Sequence, residues 1–386
     1  MSLPAIRGKA LQISRVLTLS AVCCASAVLA DPSTAPFTYN YDSIGEPAVT
    51  EPEPEVESEP ALANALPHIT DPVQKVMHAV VAVEATARSG ARTESTFGTK
   101  RKGTGVVIDS GGLIATAGYI VAEAESVKVT FANGITDEAE IVAYDDSIGV
   151  GLLRPKNFRS TYALQMGNSA DIKKDQKALI LPASGEDGAK SVTIGKVEPF
   201  TGGWEFMLDD AIHTYPPSIN FSGAALLSAN AELLGIGSLV SIDIDIDPKV
   251  RVPGNIFIPI DALKNIMGEL LTTGRSTSSV KPWLGLQSKD TKSGIKVGAV
   301  YDEAPAAVSG IKAGDKIIAI NQKQVSSLKG MYSRLWTEHK PGDKIHLLIL
   351  RDEQYANVPV ETVDRYDWLN LQDAKESDLK ITEAEE

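Results

Sequence analysis

Between Gly105 and Val197 the chain is cut into short apolar runs, Gly105–Ile108, Leu113–Thr116, Val127–Phe131, Ala139–Tyr144, Ala178–Leu181 and Ser191–Val197, each bounded by Gly, Asn, Asp or Pro. No long helical periodicity falls between them. Short strands joined by tight turns bury their apolar faces by pairing and curling, so the spacing predicts an all-β barrel or sandwich. The first long helical pattern, Ala262–Leu271, comes only afterwards, with Asp261 as the expected N-cap and Gly274 beyond its end. Upstream, Asp71-Pro72 signals a helix start over Val73–His78, which runs into the apolar stretch Ala79–Val83. Ser276–Ser279 reads as a hinge. A second unit follows over 280–363, with short strands around a helix at Leu328–Glu338, capped by Ser326 or Ser327 and stopped by Pro341-Gly342-Asp343.

The two ends read differently from the middle. Residues 1–30 have a basic start through Arg15, an apolar core Val16–Leu29 and small residues ending at Ala30, the pattern of a secretory signal cleaved after Ala30. An uncleaved anchor is the alternative, although about 15 apolar residues fall short of the roughly 20 that a spanning helix needs. Both cysteines, Cys23 and Cys24, lie in this leader, so the exported chain is expected to rest on its apolar core without disulfides, as suits a bacterial envelope. Residues 31–70 form an acidic, proline-rich stretch that reads as a disordered tether, with Phe37, Tyr39 and Tyr41 inside it. Residues 364–386 read as an acidic C-terminal tail in which Trp368 and Leu369 are the residues able to dock. The net charge of −13 becomes more negative once Arg7, Lys9 and Arg15 are removed, which argues against nucleic-acid and anionic-membrane partners.

Three stretches carry a resemblance. Gly103–Val121, Ile141–Leu153 and Ile219–Ile236, in that order, resemble the segments that hold the catalytic histidine, aspartate and serine in the HtrA/Deg family of trypsin-like serine proteases. Asn255-Ile-Phe-Ile-Pro259 and the helix after it match the end of that domain. Farther on, Trp283-Leu-Gly-Leu286, Ala304-Pro-Ala-Ala307 and Gly310–Asn321 resemble a bacterial PDZ domain. The resemblance spans roughly Pro72 to Val363 and implies a mainly β fold, a trypsin-like double β-barrel over 71–275 followed by a PDZ-like α+β domain over 280–363.

The departures from that pattern bear directly on chemistry. Laid on it residue by residue, the histidine position is Tyr119, the aspartate position is Gly149, and only the nucleophile survives, as Ser222. Serine needs a neighbour that accepts its proton near neutral pH. A phenol of reference pKa about 10 would need a shift of about three units, or roughly 4 kcal/mol, to serve. Glycine can neither orient nor stabilise a base, and loss of the histidine alone costs a serine protease on the order of a million-fold in turnover. The oxyanion loop is altered as well, with Asn220 where the family has glycine and Phe221 before the serine. His213 is either a substitute base or a pocket residue, while Asp145 and Asp146 flank the lost aspartate position without an imidazole to orient.

Asp243, Asp245 and Asp247 alternate with isoleucine, so a straight strand would turn all three to one side at about 7 Å spacing. Calcium needs converging oxygens, so a solvated edge-strand face is the reading, and no metal or cofactor is expected. In the PDZ-like unit, the N–H groups of the Trp283–Leu286 turn (Trp283, Leu284, Gly285, Leu286) would receive a peptide C-terminal carboxylate, and Met331 and Leu335, one helical turn apart, would line the pocket for its last side chain or simply belong to the core. Together these expectations describe a periplasmic or envelope pseudoprotease that binds unfolded segments or protein C-termini as scaffold, chaperone-like holder or regulator of active proteases. The resemblance adds a homo-oligomer, such as a trimer, or an active protease paralogue as partner. The alternative is an active serine endopeptidase using Ser222 with an unrecognised base.

Overall fold

The computed structural model describes residues 72–157, 162–184, 188–247 and 250–371. The leader, the tether with its three aromatic residues, the Asp71 cap and the tail beyond 371 lie outside the described residues.

Helix α1 (Pro72–His78) leads into β1 (Val80–Ala87). With β2 (Lys100–Val107), β3 (Ile114–Ala117), β4 (Ala124–Thr130), β5 (Thr136–Asp145) and β6 (Val150–Pro155) it closes a first barrel in the order β1-β2-β3-β6-β5-β4. Two short helices, α2 (Glu94–Phe97) and α3 (Gly118–Val121), sit among these strands. Val81, Val83, Val107, Ile114, Ile120, Val129 and Leu153 fill the interior, side chains whose branching suits a pleated, buried surface. A second barrel closes in the order β10-β11-β12-β9-β8-β7, from β7 (Lys177–Leu181), β8 (Lys190–Gly202), β9 (Phe206–Tyr215), β10 (Ala225–Leu227), β11 (Leu233–Asp247) and β12 (Val250–Pro259). Its interior holds Ile180, Ile194, Ile212, Leu226 and Phe257. The six apolar runs of the sequence fall largely within β2, β3, β4, β5, β7 and β8.

One local expectation is corrected. Asp261 is not the N-cap of helix α4 (Ile260–Thr273); extended Pro259 holds that position, and Asp261 stands inside the first turn. Its carboxylate is occupied by Ser169 Oγ and Ala170 N–H, both at 2.9 Å, and by Lys264 Nζ at 2.6 Å. The aspartate alternation lies on the part of β11 beyond its pairing with β10, which ends at Ile236, and there β11 pairs with β12 alone. There Asp245 joins Lys196 of β8 at 3.3 Å and Arg251 of β12 at 2.8 Å.

Beyond the hinge come β13 (Pro282–Trp283), β14 (Leu286–Thr291), β15 (Gly294–Val300), α5 (Pro305–Val308), β16 (Lys316–Ile320), β17 (Lys323–Gln324), α6 (Leu328–Glu338), β18 (Lys344–Arg351), β19 (Gln354–Glu361), β20 (Val363–Asp364) and α7 (Arg365–Trp368). The sheet runs β14-β15-β16-β18-β19, with β17 on β16 and β20 paired to β13. Ser327 caps α6, its hydroxyl accepting the Gly330 N–H at 3.2 Å. Met331, Tyr332 and Leu335 of that helix are buried in the core with Leu284, Leu286, Ile345 and Leu347.

Residues 364–371, expected to begin a loose tail in which Trp368 and Leu369 could dock, are folded at those residues and bridge the second unit to the first barrel. Trp368 packs on Trp283 with ring centroids 4.6 Å apart, and Arg92 lies over the Trp368 ring at 4.5 Å. Arg88 donates to the Leu369 carbonyl at 2.5 Å, and Arg275 of the hinge pairs with Asp364 at 2.9 Å. The aromatic content of the segment and the arginines facing it outweigh its overall acidity.

The two barrels meet along a seam formed by β2 and the loop before β10. Thr104 N–H donates to the Ser222 carbonyl at 2.8 Å, and Thr104 Oγ1 accepts the Ala183 N–H at 2.9 Å. Behind it, Val106, Leu113 and Leu152 of the first barrel share one apolar cluster with Leu208, Leu227, Ile236 and Ile258 of the second. Gly223 has φ +70°, and a Cβ there would stand 1.9 Å from the Thr104 carbonyl oxygen. Gly223→Ala is therefore expected to lower stability by about 3 kcal/mol through overpacking and left-handed strain. Gly268→Ala, in α4 with nothing within 4 Å of the added carbon, should instead gain about 0.5–1 kcal/mol. Denaturant melts of the two variants check both signs, and equal midpoints would contradict the seam.

Candidate functional site

Ser222 and Tyr119 come from different barrels and meet at the seam. Ser222 stands on the loop between β9 and β10, and Tyr119 on the single turn of α3. The Tyr119 hydroxyl donates to Ser222 Oγ at 2.7 Å. The phenol ring stacks on Phe97 with centroids 5.4 Å apart. Arg101 fixes the turn from beneath, its guanidinium donating to the Tyr119 carbonyl at 3.0 Å and the Ala122 carbonyl at 2.5 Å. Those are the carbonyls a short helix leaves unpaired at its C-terminus, and a cation is well placed there. Ser222 is 7% exposed and Tyr119 is half-buried, so the hydroxyl pair lies at the edge of the seam with partial access to water.

Gly149 lies next to this pair through the backbone: its carbonyl accepts the Gly118 N–H at 2.8 Å. Its φ is +78°, and a Cβ at this position would touch the Phe206 ring at 3.4 Å. The space where a side chain at 149 would point is thus already lined by an aromatic ring. Asp145 is fully buried but turned elsewhere, accepting the Ser276 N–H of the hinge at 2.8 Å and the Ser147 N–H at 2.9 Å. It ties the hinge to the first barrel.

Of the remaining barrel positions, Asn220 and Phe221 share the Ser222 loop and His213 stands on β9. Asn220 is exposed on the loop, and Phe221 is largely buried beside it. His213, on β9, is buried opposite Lys196 of β8. Burial, with Lys196⁺ nearby, pushes its imidazole down to about 4, while the Ser222 hydroxyl is engaged by Tyr119.

In the second unit the Trp283–Leu286 turn does form a cradle of N–H groups. The Leu284 and Gly285 carbonyls are drawn outward by the N–H groups of Ala306 at 2.8 Å and Tyr301 at 3.0 Å, which leaves the turn's own N–H groups facing inward. The cradle is filled from within the molecule, however. Glu205, on the turn between β8 and β9, receives the Leu284 N–H at 2.9 Å on one carboxylate oxygen and the Leu286 N–H at 2.7 Å on the other. Burial raises the Glu205 carboxyl to about 7 against the opposing pull of these N–H groups and of Arg365. Trp283, Leu284, Leu286, Met331 and Leu335 are all buried, so as the molecule stands none of them offers an open surface. Met331 and Leu335 occupy the core of the unit, and Met207, two residues after Glu205, packs against that same cluster. Glu205 is the residue that reading the sequence missed. Gly202-Gly203 announces a hairpin turn, but nothing in the order of residues says that the turn docks 80 positions farther along the chain.

Comparison with known proteins agrees with this architecture. The model for a trypsin-like peptidase domain matches residues 103–236, and that for a PDZ domain matches residues 282–362. The serine endoprotease DegS of Haemophilus influenzae is 27% identical over 277 residues, covering 67% of this chain and 76% of that protein. A probable periplasmic serine endoprotease, DegP-like, of Buchnera aphidicola is 28% identical over 273 residues, 67% of this chain and 57% of its own length. Among solved structures, the HtrA-type protease AlgW with tripeptide aligns at a TM-score of 0.45 and 21% identity, over 75% of this chain and 95% of that one. The chain joins a trypsin-like peptidase domain to a PDZ domain and is a homologue of the HtrA/DegS serine endoproteases.

Proposed function

We propose that this protein is an exported, non-hydrolytic relative of the HtrA/DegS endoproteases that holds polypeptide segments, unfolded or ending in a free carboxylate, as a scaffold, chaperone-like holder or regulator of active proteases. The observation that carries this reading is the 2.7 Å hydrogen bond from Tyr119 to Ser222 Oγ. A neutral phenol that gives its hydrogen to the nucleophile stabilises the alcohol rather than removing its proton. Gly149 supplies no carboxylate, and Phe206 lines the place one would occupy. The N–H cradle of the PDZ domain supports the binding half of the reading, because such a turn recognises a terminal carboxylate while the chain behind it adds a strand to the sheet. The basic and apolar pattern of residues 1–30 supports export, and among the described residues no helix is long and apolar enough to cross a membrane.

The second reading, a working endopeptidase, rests on the retained Ser222 and on homologues that are named serine endoproteases. Incubation of the full chain with a fluorophosphonate probe separates the two. No label at Ser222 and intact casein after prolonged incubation are expected; stoichiometric labelling that disappears in Ser222→Ala would end the non-hydrolytic reading. The state of His213 provides an independent check. Its folded value near 4 lies below the ordinary 6.5, so the histidine contributes stability above pH 6.5 that is lost as pH falls towards 4. An NMR titration should show the His213 ring unprotonated at pH 5. A midpoint near 6.5 would return it to ordinary, solvated behaviour.

A further inference from the structure

The turn between β8 and β9 enters the PDZ domain between one face of β14 and one face of α6. Glu205 takes the cradle at the end of this groove, one N–H on each carboxylate oxygen. Two residues earlier, the Gly203 carbonyl accepts the Ser288 N–H of β14 at 2.7 Å, a main-chain bond of the kind an added strand makes. On the helix side, the buried Tyr332 hydroxyl accepts the Glu205 N–H and donates to the Gly202 carbonyl, both at 3.1 Å. Met207 packs against the apolar cluster that contains Met331 and Leu335. A carboxylate in the cradle, a main-chain bond to the neighbouring strand and an apolar side chain against the cluster are the three things a peptide C-terminus would bring.

The backbone of the turn bears the mark of this docking. Glu205 has φ +60°, a left-handed conformation unfavourable for a residue with a long side chain, and its contacts with the PDZ domain hold it there. Gly203 approaches so closely that a Cβ on it would lie 2.3 Å from the Ser288 carbonyl oxygen.

We infer that the Gly202–Glu205 turn is an internal ligand of the PDZ groove, so that a polypeptide C-terminus binds only by displacing the Glu205 carboxylate from the Leu284 and Leu286 amides. The inference rests on the peptide-holding reading for the identity of the competitor, but not for the occupancy itself. Occupancy makes apparent affinity the product of the groove's own affinity and the fraction of molecules with the turn withdrawn. Binding in trans and docking of the turn are then mutually exclusive.

The test uses the full chain and a fluorescein-labelled decapeptide with an apolar last residue, as free acid and as C-terminal amide. Glu205→Ala is expected to tighten binding of the free acid by about tenfold or more over the unaltered chain, with the amide bound by neither. Gly203→Ala, which evicts the turn by collision with β14 and leaves the cradle untouched, should do the same and stands in if Glu205→Ala fails to fold. Amide hydrogen exchange over residues 284–288 should accelerate in both variants. Unchanged exchange together with equal affinities would overturn the internal-ligand assignment while leaving the peptide-holding reading intact. Accelerated exchange with no peptide bound by any variant would support the assignment and remove that reading.

Discussion

The contact between Thr104 and the Ser222–Gly223 loop is the constraint on which the rest of the molecule rests. Two closed barrels share no strand, so their relative placement depends on whatever crosses between them. Here that is a main-chain hydrogen bond at the Ser222 carbonyl, a glycine with no room for a methyl group, and an apolar cluster drawn from both sides. The same loop delivers the Ser222 hydroxyl to Tyr119. Its shape is therefore accounted for by the joining of barrels, independently of any bond it could cleave, and a serine at its tip is compatible with a purely structural role.

A second layer of constraint ties the PDZ domain down. The C-terminal segment with Trp368, the hinge held by Asp145, and the Glu205 turn grip it at three separate places. The Asp145 and Glu205 carboxylates are buried with backbone N–H partners in place, the condition under which burying a polar group adds specificity to packing, and Trp368 grips by ring contact. Of the three, only the Glu205 turn uses groups that an outside ligand would also use. That distinguishes a contact open to competition from two that are not.

Much of the architecture was legible in residue order because it depends on local patterning. Runs of four to seven apolar residues with Gly, Asn, Asp and Pro between them became strands, and Ser327 with the spacing of Leu328, Met331 and Leu335 specified α6 together with its cap. The meeting of Tyr119 with Ser222 and the adjacency of Gly149 were legible only through resemblance to a known family, since 103 residues separate the two hydroxyls. What escaped was contact between elements whose own patterns were unremarkable. Asp261 looked like a cap because its side chain can cap, and only its position beside Ser169 and Lys264 gave it other partners. The segment after Val363 looked like a loose tail because its acids dominate the count, with Trp368 and Leu369 able to dock, whereas buried Tyr366 and Leu369, Trp368 against Trp283 and the Arg88 that donates to the Leu369 carbonyl fix it in place. Glu205 gave no signal at all, because a lone glutamate after a Gly-Gly turn is ordinarily solvent-exposed.

Phe206 links the two regions. It follows Glu205 directly, and its ring lies against the space above Gly149 while Glu205 and Met207 on either side face the PDZ domain. An aspartate placed at 149 would adopt a strained φ of +78° with its Cβ against a ring whose neighbours are anchored in another domain. Building a side chain at 149 is therefore a matter of the β8–β9 hairpin as well as of the residue chosen.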